Sequence, residues 1–164
     1  MTDLIQATQE GDLAQVNTLL SDGADANGQD GEGLSALAIA AEAGQADIVE
    51  ALITHGANVN LADPDGWTPL MAAAASGHLD LVDRLLAEGA EVNAATNFGL
   101  TVLMSAAAQG RLAVVQRLID AGADYARTDE NRWTALIWAA EGQHTEVVQY
   151  LKDVRDRPHP GVSP

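Results

Sequence analysis

The sequence predicts an all-α solenoid of stacked helix-turn-helix units joined by β-turn or hairpin loops, and three observations lead there. The chain matches itself when it is shifted by 33 residues. Each unit carries two short apolar stretches separated by a glycine turn. The apolar content of 47% is mostly Ala, Leu, Val and Ile rather than aromatic, which suits thin helices packed face to face in an elongated stack.

The clearest unit runs from Asp63 to Ala95 and opens with Asp63-Pro64-Asp65-Gly66-Trp67-Thr68-Pro69-Leu70. Thr68 can cap a helix through its hydroxyl, and Pro69 fits the first helical position, where a missing N–H costs nothing. Met71 to Ala75 continue that helix, and Gly77 offers the left-handed conformation that ends it. His78 to Ala87 form a second helix, with Leu81, Val82, Leu85 and Leu86 on one stripe and Gly89 behind it. The same columns recur through the chain. Thr68 aligns with Ser35, Thr101 and Thr134, Gly66 with Gly33 and Gly99, and Gly77 with Gly11, Gly44 and Gly110. Val82 aligns with Val16, Val49, Val115 and Val148, and Leu85 with Leu19, Leu52, Leu118 and Leu151.

In order, residues 1–29 hold a truncated first unit, with Thr2 as cap, Leu4, Ile5 and Ala7 inside, and Leu13, Val16, Leu19 and Leu20 in the second helix. Gln15 replaces the apolar residue that later units carry as Ile48, Leu81, Val114 and Val147, as expected of a unit with one neighbour. Residues 30–62 predict helices over Ala36 to Ala43 and Ala46 to Thr54. Residues 63–95 and 96–128 follow the full pattern, with Val102 in place of Pro69. Residues 129–155 depart from it. Arg132 replaces the loop glycine, and Gly142-Gln143 predict a shifted or distorted inter-helix turn. The outer helix of this unit is expected to end with Lys152, which stands where earlier units have Ile53, Leu86 and Ile119 and marks a polar C-terminal cap. The expectation is one domain over residues 1–156 and a flexible proline-rich tail over 157–164.

The repeated elements are Gly-x-Thr-Pro-Leu, Ala-Ala, Gly-His, Val-x-x-Leu-Leu and Gly-Ala-x-Val-Asn, and together they resemble the ankyrin repeat family over about residues 2–155. The resemblance implies a non-enzymatic recognition scaffold, an adaptor or inhibitor whose inner helices and loop tips line a concave partner-binding face. It does not name the partner. A scaffold or solubility module with no dedicated partner is the alternative. A minor one concerns Asn60 and Asn93, which resemble asparagines that some ankyrin proteins present for hydroxylation; here their expected role is to hydrogen-bond the turn.

Charge narrows the partner class. Residues 1–83 hold 14 acids and no Lys or Arg, whereas residues 84–164 hold 10 acids and all 8 bases, so the halves carry −14 and −2 of the total −16. Such a field opposes direct binding of nucleic acid or an anionic membrane and steers a partner with a basic patch. The same charge also keeps a repeat stack dispersed. With no cysteine, disulfides and thiolate metal sites are excluded. No signal-peptide pattern and no long apolar run is present, and the reading is a cytoplasmic monomer.

The column after the loop glycine, Leu34, Trp67, Leu100 and Trp133, predicts an apolar row about 30 Å long for units spaced roughly 10 Å apart, with Phe98 beside it. No packed core is expected to need these loop aromatics, and aromatic side chains anchor interfaces. Around them the candidate partner-binding residues are Asp30, Glu32, Asp63, Asp65, Asn97 and Asn131 from the loops, and Glu42, Ser76, Gln109 and Glu141 from the inner-helix ends. Trp138 and Tyr125 read as packing residues. No catalytic residue, cofactor or metal site is expected. His78 and His144 share one column two units apart, roughly 20 Å, too far to hold one ion, and each is expected to hydrogen-bond within its own turn. The glycine-rich loop 30–34 follows no strand and precedes no lysine, so it reads as a turn and not a phosphate cradle.

Overall fold

Five helical hairpins account for the architecture. The computed structural model describes residues 3–157, and among these it places ten helices: α1 (Leu4–Glu10), α2 (Leu13–Ser21), α3 (Ala36–Ala43), α4 (Ala46–Thr54), α5 (Pro69–Ser76), α6 (Leu79–Ala87), α7 (Val102–Ala108), α8 (Leu112–Asp120), α9 (Ala135–Glu141) and α10 (Thr145–Asp156). The inner helices α1, α3, α5, α7 and α9 pack in succession, and the outer helices α2, α4, α6, α8 and α10 form a second row behind them. Ser35, Thr68, Thr101 and Thr134 cap the inner helices by accepting the N–H three residues on, as the sequence predicts. Thr2, the expected cap of α1, lies outside the described residues; the carboxylate of Asp3 caps α1 instead, accepting from Gln6 N at 2.8 Å.

One apolar core runs through all five hairpins. Val16, Val49, Val82 and Val115 are fully buried in the outer row, and Leu37, Leu70 and Leu103 in the inner one. Gln15, by contrast, is half-exposed on the first hairpin. The loops between hairpins have no strands among the described residues. Each is a tight turn in which the N–H of Asp30, Asp63, Thr96 or Asp129 donates to the carbonyl four residues on, at 2.9–3.1 Å.

The links between hairpins are polar and periodic. His78 Nε2 donates to the Glu42 carbonyl at 3.0 Å and His144 Nε2 to the Ala108 carbonyl at 2.9 Å, each 36 residues back. The histidines therefore bridge neighbouring hairpins and do not serve their own turns, which corrects the sequence expectation. A carbonyl can only accept, so Nε2 carries the proton in both. Arg111, in the same column, donates from Nε to the Ala75 carbonyl at 2.9 Å. Asp12, with no described hairpin before it, turns to its own helix and caps Gln15 N at 3.0 Å. A second ladder is built from asparagines. Asn27, Asn60 and Asn93 each donate from Nδ2 to the carbonyl of Gly56, Gly89 or Gly122 and accept from the N–H of Asn58, Glu91 or Asp124. These amides tie one hairpin to the next.

The fifth hairpin keeps the register that its sequence puts in doubt. Gln143 adopts φ 58° in the glycine column of the inter-helix turn, and Arg132 adopts φ 63° in the loop-glycine column, so neither turn is shifted. In earlier hairpins a side chain there has no room: a Cβ on Gly44 would stand 2.7 Å from the His78 ring, and one on Gly66 3.0 Å from Thr96 Cα. No described hairpin follows the fifth, so its side chains meet only the cost of positive φ. Helix α10 runs past Lys152 to Asp156, three residues longer than the other outer helices, because Arg155 occupies the column where Gly56, Gly89 and Gly122 stop them. Val154 in this added turn is buried. Of the expected tail over 157–164, Arg157 sits 5.8 Å above the Tyr150 ring, and residues 158–164 lie outside the described residues. No helix among the described residues is long and apolar enough to cross a membrane.

Candidate functional site

The loop tips are shaped by one side-chain oxygen per turn, an aspartate in three of them and Thr96 in the fourth loop. Asp63 Oδ1 accepts the N–H groups of Asp65 at 2.9 Å and Trp67 at 2.8 Å, and Asp30 Oδ1 does the same for Glu32 and Leu34. Thr96 Oγ1 holds Leu100 N, and Asp129 Oδ1 holds Trp133 N at 2.8 Å. The side-chain oxygen clamps the residue at the end of the loop back over its own hairpin. Leu34, Trp67, Leu100 and Trp133 are consequently all half-buried, and Trp67 and Leu100 pack against the core, which for Trp67 is contrary to the expectation that no core needs the loop aromatics. Trp133 turns edge-on to Trp138, with ring centroids 5.0 Å apart and planes at 66°. Phe98 behaves as the sequence predicts and is 59% exposed.

Between the third, fourth and fifth loops lies a cleft of about 420 Å³, lined by Asp63, Asp65, Trp67, Thr96, Phe98, Leu100, Asp129, Asn131 and Trp138. Six of the sequence candidates meet there: Asp63, Asp65, Trp67, Phe98, Leu100 and Asn131. The others do not line it. Leu34, Asp30 and Glu32 belong to the second loop, Asn97 uses its amide on the Pro64 carbonyl at 2.8 Å, and Glu42, Ser76, Gln109 and Glu141 sit at inner-helix ends. Trp133 touches Trp138 edge-on but is not itself among the residues that line the cleft.

Trp138, expected to pack, does pack against the core; what sequence reasoning missed is that Trp138, Asp129 and Thr96 also line the cleft. Trp138 Nε1 donates to Asp129 Oδ2 at 3.1 Å, so both oxygens of this buried carboxylate are satisfied. The pair fixes the wall of the cleft. Its signal was a size change: Trp138 occupies a column otherwise held by Ile39, Ala72 and Ser105, and it is half-buried where Ala72 and Ser105 are buried. Tyr125, expected to pack, does so. No group of three or more His, Asp or Glu able to hold a metal occurs among the described residues.

Comparison with known families decides the class. A model of ankyrin repeats, three copies long, matches residues 4–96 and again 81–158. The chain belongs to the ankyrin repeat family. Ankyrin repeats are in general protein–protein interaction modules without catalytic activity of their own, and the stacked hairpins, spanned here by the histidine and asparagine ladders, are the ankyrin architecture. No curated protein matches the chain.

Proposed function

We propose that this ankyrin stack is an adaptor or inhibitor that binds another protein on the side formed by its loop tips and inner helices, with the cleft of loops three to five as anchor. The observation that carries this reading is Phe98, a large aromatic 59% exposed at the mouth of a preformed cleft. Exposed aromatics beside concave, partly apolar surface are where interfaces concentrate their energy. The acidic first half, residues 1–83, adds long-range attraction for a basic partner and disfavours nucleic acid and anionic membrane.

Phe98→Ala tests the site cleanly, because an exposed ring contributes little to the core. The expected result is an unchanged circular dichroism spectrum with loss of a saturable, salt-sensitive partner in affinity capture followed by crosslinking and mass spectrometry. Full retention of that partner would remove the cleft from consideration. The alternative, a scaffold or solubility module, draws support from the solvated acids on the outer helices, Asp47, Glu50, Asp80 and Asp83. It predicts no saturable partner for either protein. Hydroxylation of Asn60 or Asn93 fits less well, since each side-chain amide is engaged at both ends by the next hairpin.

A further inference from the structure

We infer that the cleft between loops three, four and five is a pocket for an arginine side chain presented by a peptide segment of the partner. This rests on the interaction-module reading and names the group that the cleft receives. Its apolar surface is aromatic: Trp67, Phe98 and Trp138, with Leu100 between them. Its polar surface is anionic. Asp65 is exposed and its carboxylate has no hydrogen-bond partner among the described residues; the same holds for Oδ2 of Asp63, whose Oδ1 clamps the loop. Asp129 offers nothing further, because Trp133 N and Trp138 Nε1 occupy its oxygens.

The lining carries no Lys, Arg or His to answer these carboxylates; of the two arginines in the fifth loop, Arg132 is not part of it, and neither is Arg127, whose Nη1 donates to the Asn93 carbonyl. A neutral apolar occupant would desolvate Asp63 and Asp65 without compensation, and an anion would be repelled. An ammonium group neutralises the charge, but it is strongly hydrated and is a point donor. A guanidinium is planar and weakly hydrated, stacks on aromatic faces, and presents several N–H groups in one plane to neighbouring carboxylates. Arginine therefore satisfies both surfaces of the cleft at once.

The test is a titration of the isotopically labelled protein, followed by NMR at constant ionic strength, with three probes: acetyl-Gly-Arg-Gly-amide and its citrulline and lysine counterparts. The expected result is saturable shifts of the Trp67 and Trp138 indole N–H signals and of the Asp65 and Phe98 amides, with millimolar affinity for the arginine peptide. Citrulline, nearly isosteric but neutral, should bind at least about fivefold more weakly, and lysine should fall below arginine. Asp65→Asn should weaken the arginine peptide several-fold, whereas Asp47→Asn on an outer helix should leave it unchanged. Equal binding of citrulline, or shifts spread equally over Asp47 and Asp80, would overturn the assignment. If Phe98→Ala abolishes partner capture while the arginine probe leaves the cleft unperturbed, the interaction site stands and the arginine pocket falls. If the probe binds as stated and no partner is ever captured, the pocket stands and the interaction-module reading falls.

Discussion

His78 Nε2 lies 3.0 Å from the carbonyl oxygen of Glu42, which joins the turn of the third hairpin to the inner helix of the second. That oxygen is near the end of α3, where the helix has no further N–H to offer it. Replacing His78 by Ala leaves the carbonyl to water and removes the packing of the ring over Gly44. His78→Ala is expected to lower the unfolding free energy by about 1 kcal/mol, within the usual range for a single hydrogen bond. His144→Ala, which frees the Ala108 carbonyl, should behave alike. Urea denaturation measures both, and an unchanged midpoint in each would show that the ladder is decorative.

The same ring explains why Gly44 is glycine. Its φ of 73° is unfavourable for any side chain, and a Cβ would stand 2.7 Å from the His78 ring, so two effects oppose Gly44→Ala. The expected loss is about 1–3 kcal/mol, and His78→Ala in the same protein should return part of it. Gln143 holds the same conformation with no described hairpin above it. Gln143→Gly is therefore expected to be neutral or stabilising, by up to about 1 kcal/mol. Thermal unfolding of the four proteins separates strain from steric conflict, and a destabilised Gln143→Gly protein would contradict the strain argument.

Helix positions and caps were legible in the sequence because they depend on local chemistry: Ser35 and Thr68 cap where they stand, and α3 and α4 have the bounds expected of them. The partners of His78 and Asn60 were not, because a side chain that bonds a residue 36 or 29 positions away leaves only a recurring residue type in the sequence. The candidate site was half legible. Phe98 and Asp65 are read from the loop, but the inward clamp on Trp67 depends on where Asp63 Oδ1 points, and the role of Trp138 depends on Asp129, nine residues away and in another element. The length of α10 was missed for a different reason. Its end is set by a glycine that is absent, and Val154 then gains burial by continuing the helix.

Charge on the outer helices should show a defined acid response. Arg84 donates to Glu50 of the preceding hairpin at 2.8 Å and also pairs with Glu88, the residue that caps the end of its own helix. The hydrogen bond and then the charge of Arg84 hold the Glu50 carboxyl below its ordinary value. Because the folded carboxyl is the more acidic, whatever this pair contributes is present above the unfolded glutamate value, near 4.3, and fades as pH falls through the folded one. Carboxyl NMR should place the Glu50 midpoint below that of an unpaired glutamate, and Arg84→Met should return it. Both side chains are solvated, so the accompanying change in stability at neutral pH should be small and should shrink further with added salt.

The wall of the cleft gives the sharpest test of how the site is held. Asp129 is 8% exposed, and its two oxygens tie the end of the fifth loop, through Trp133 N at 2.8 Å, to helix α9, through Trp138 Nε1 at 3.1 Å. Trp138→Phe keeps an aromatic ring in the column but removes the N–H, leaving a buried carboxylate oxygen unpaired. The expected cost is about 1–3 kcal/mol, larger than the loss of a solvated hydrogen bond because the abandoned acceptor is charged and poorly hydrated. Asp129→Asn retains an acceptor for Trp133 N, but places an amide N–H₂ or a weaker neutral oxygen against the indole, and should cost less. If the two changes act through one link, the double variant Asp129→Asn with Trp138→Phe should be less destabilised than the sum of the single ones, by about 0.5–3 kcal/mol in a denaturation cycle. Strict additivity would mean that Asp129 and Trp138 meet at this distance without energetic coupling, and that the cleft owes its shape to the Trp133 edge contact alone.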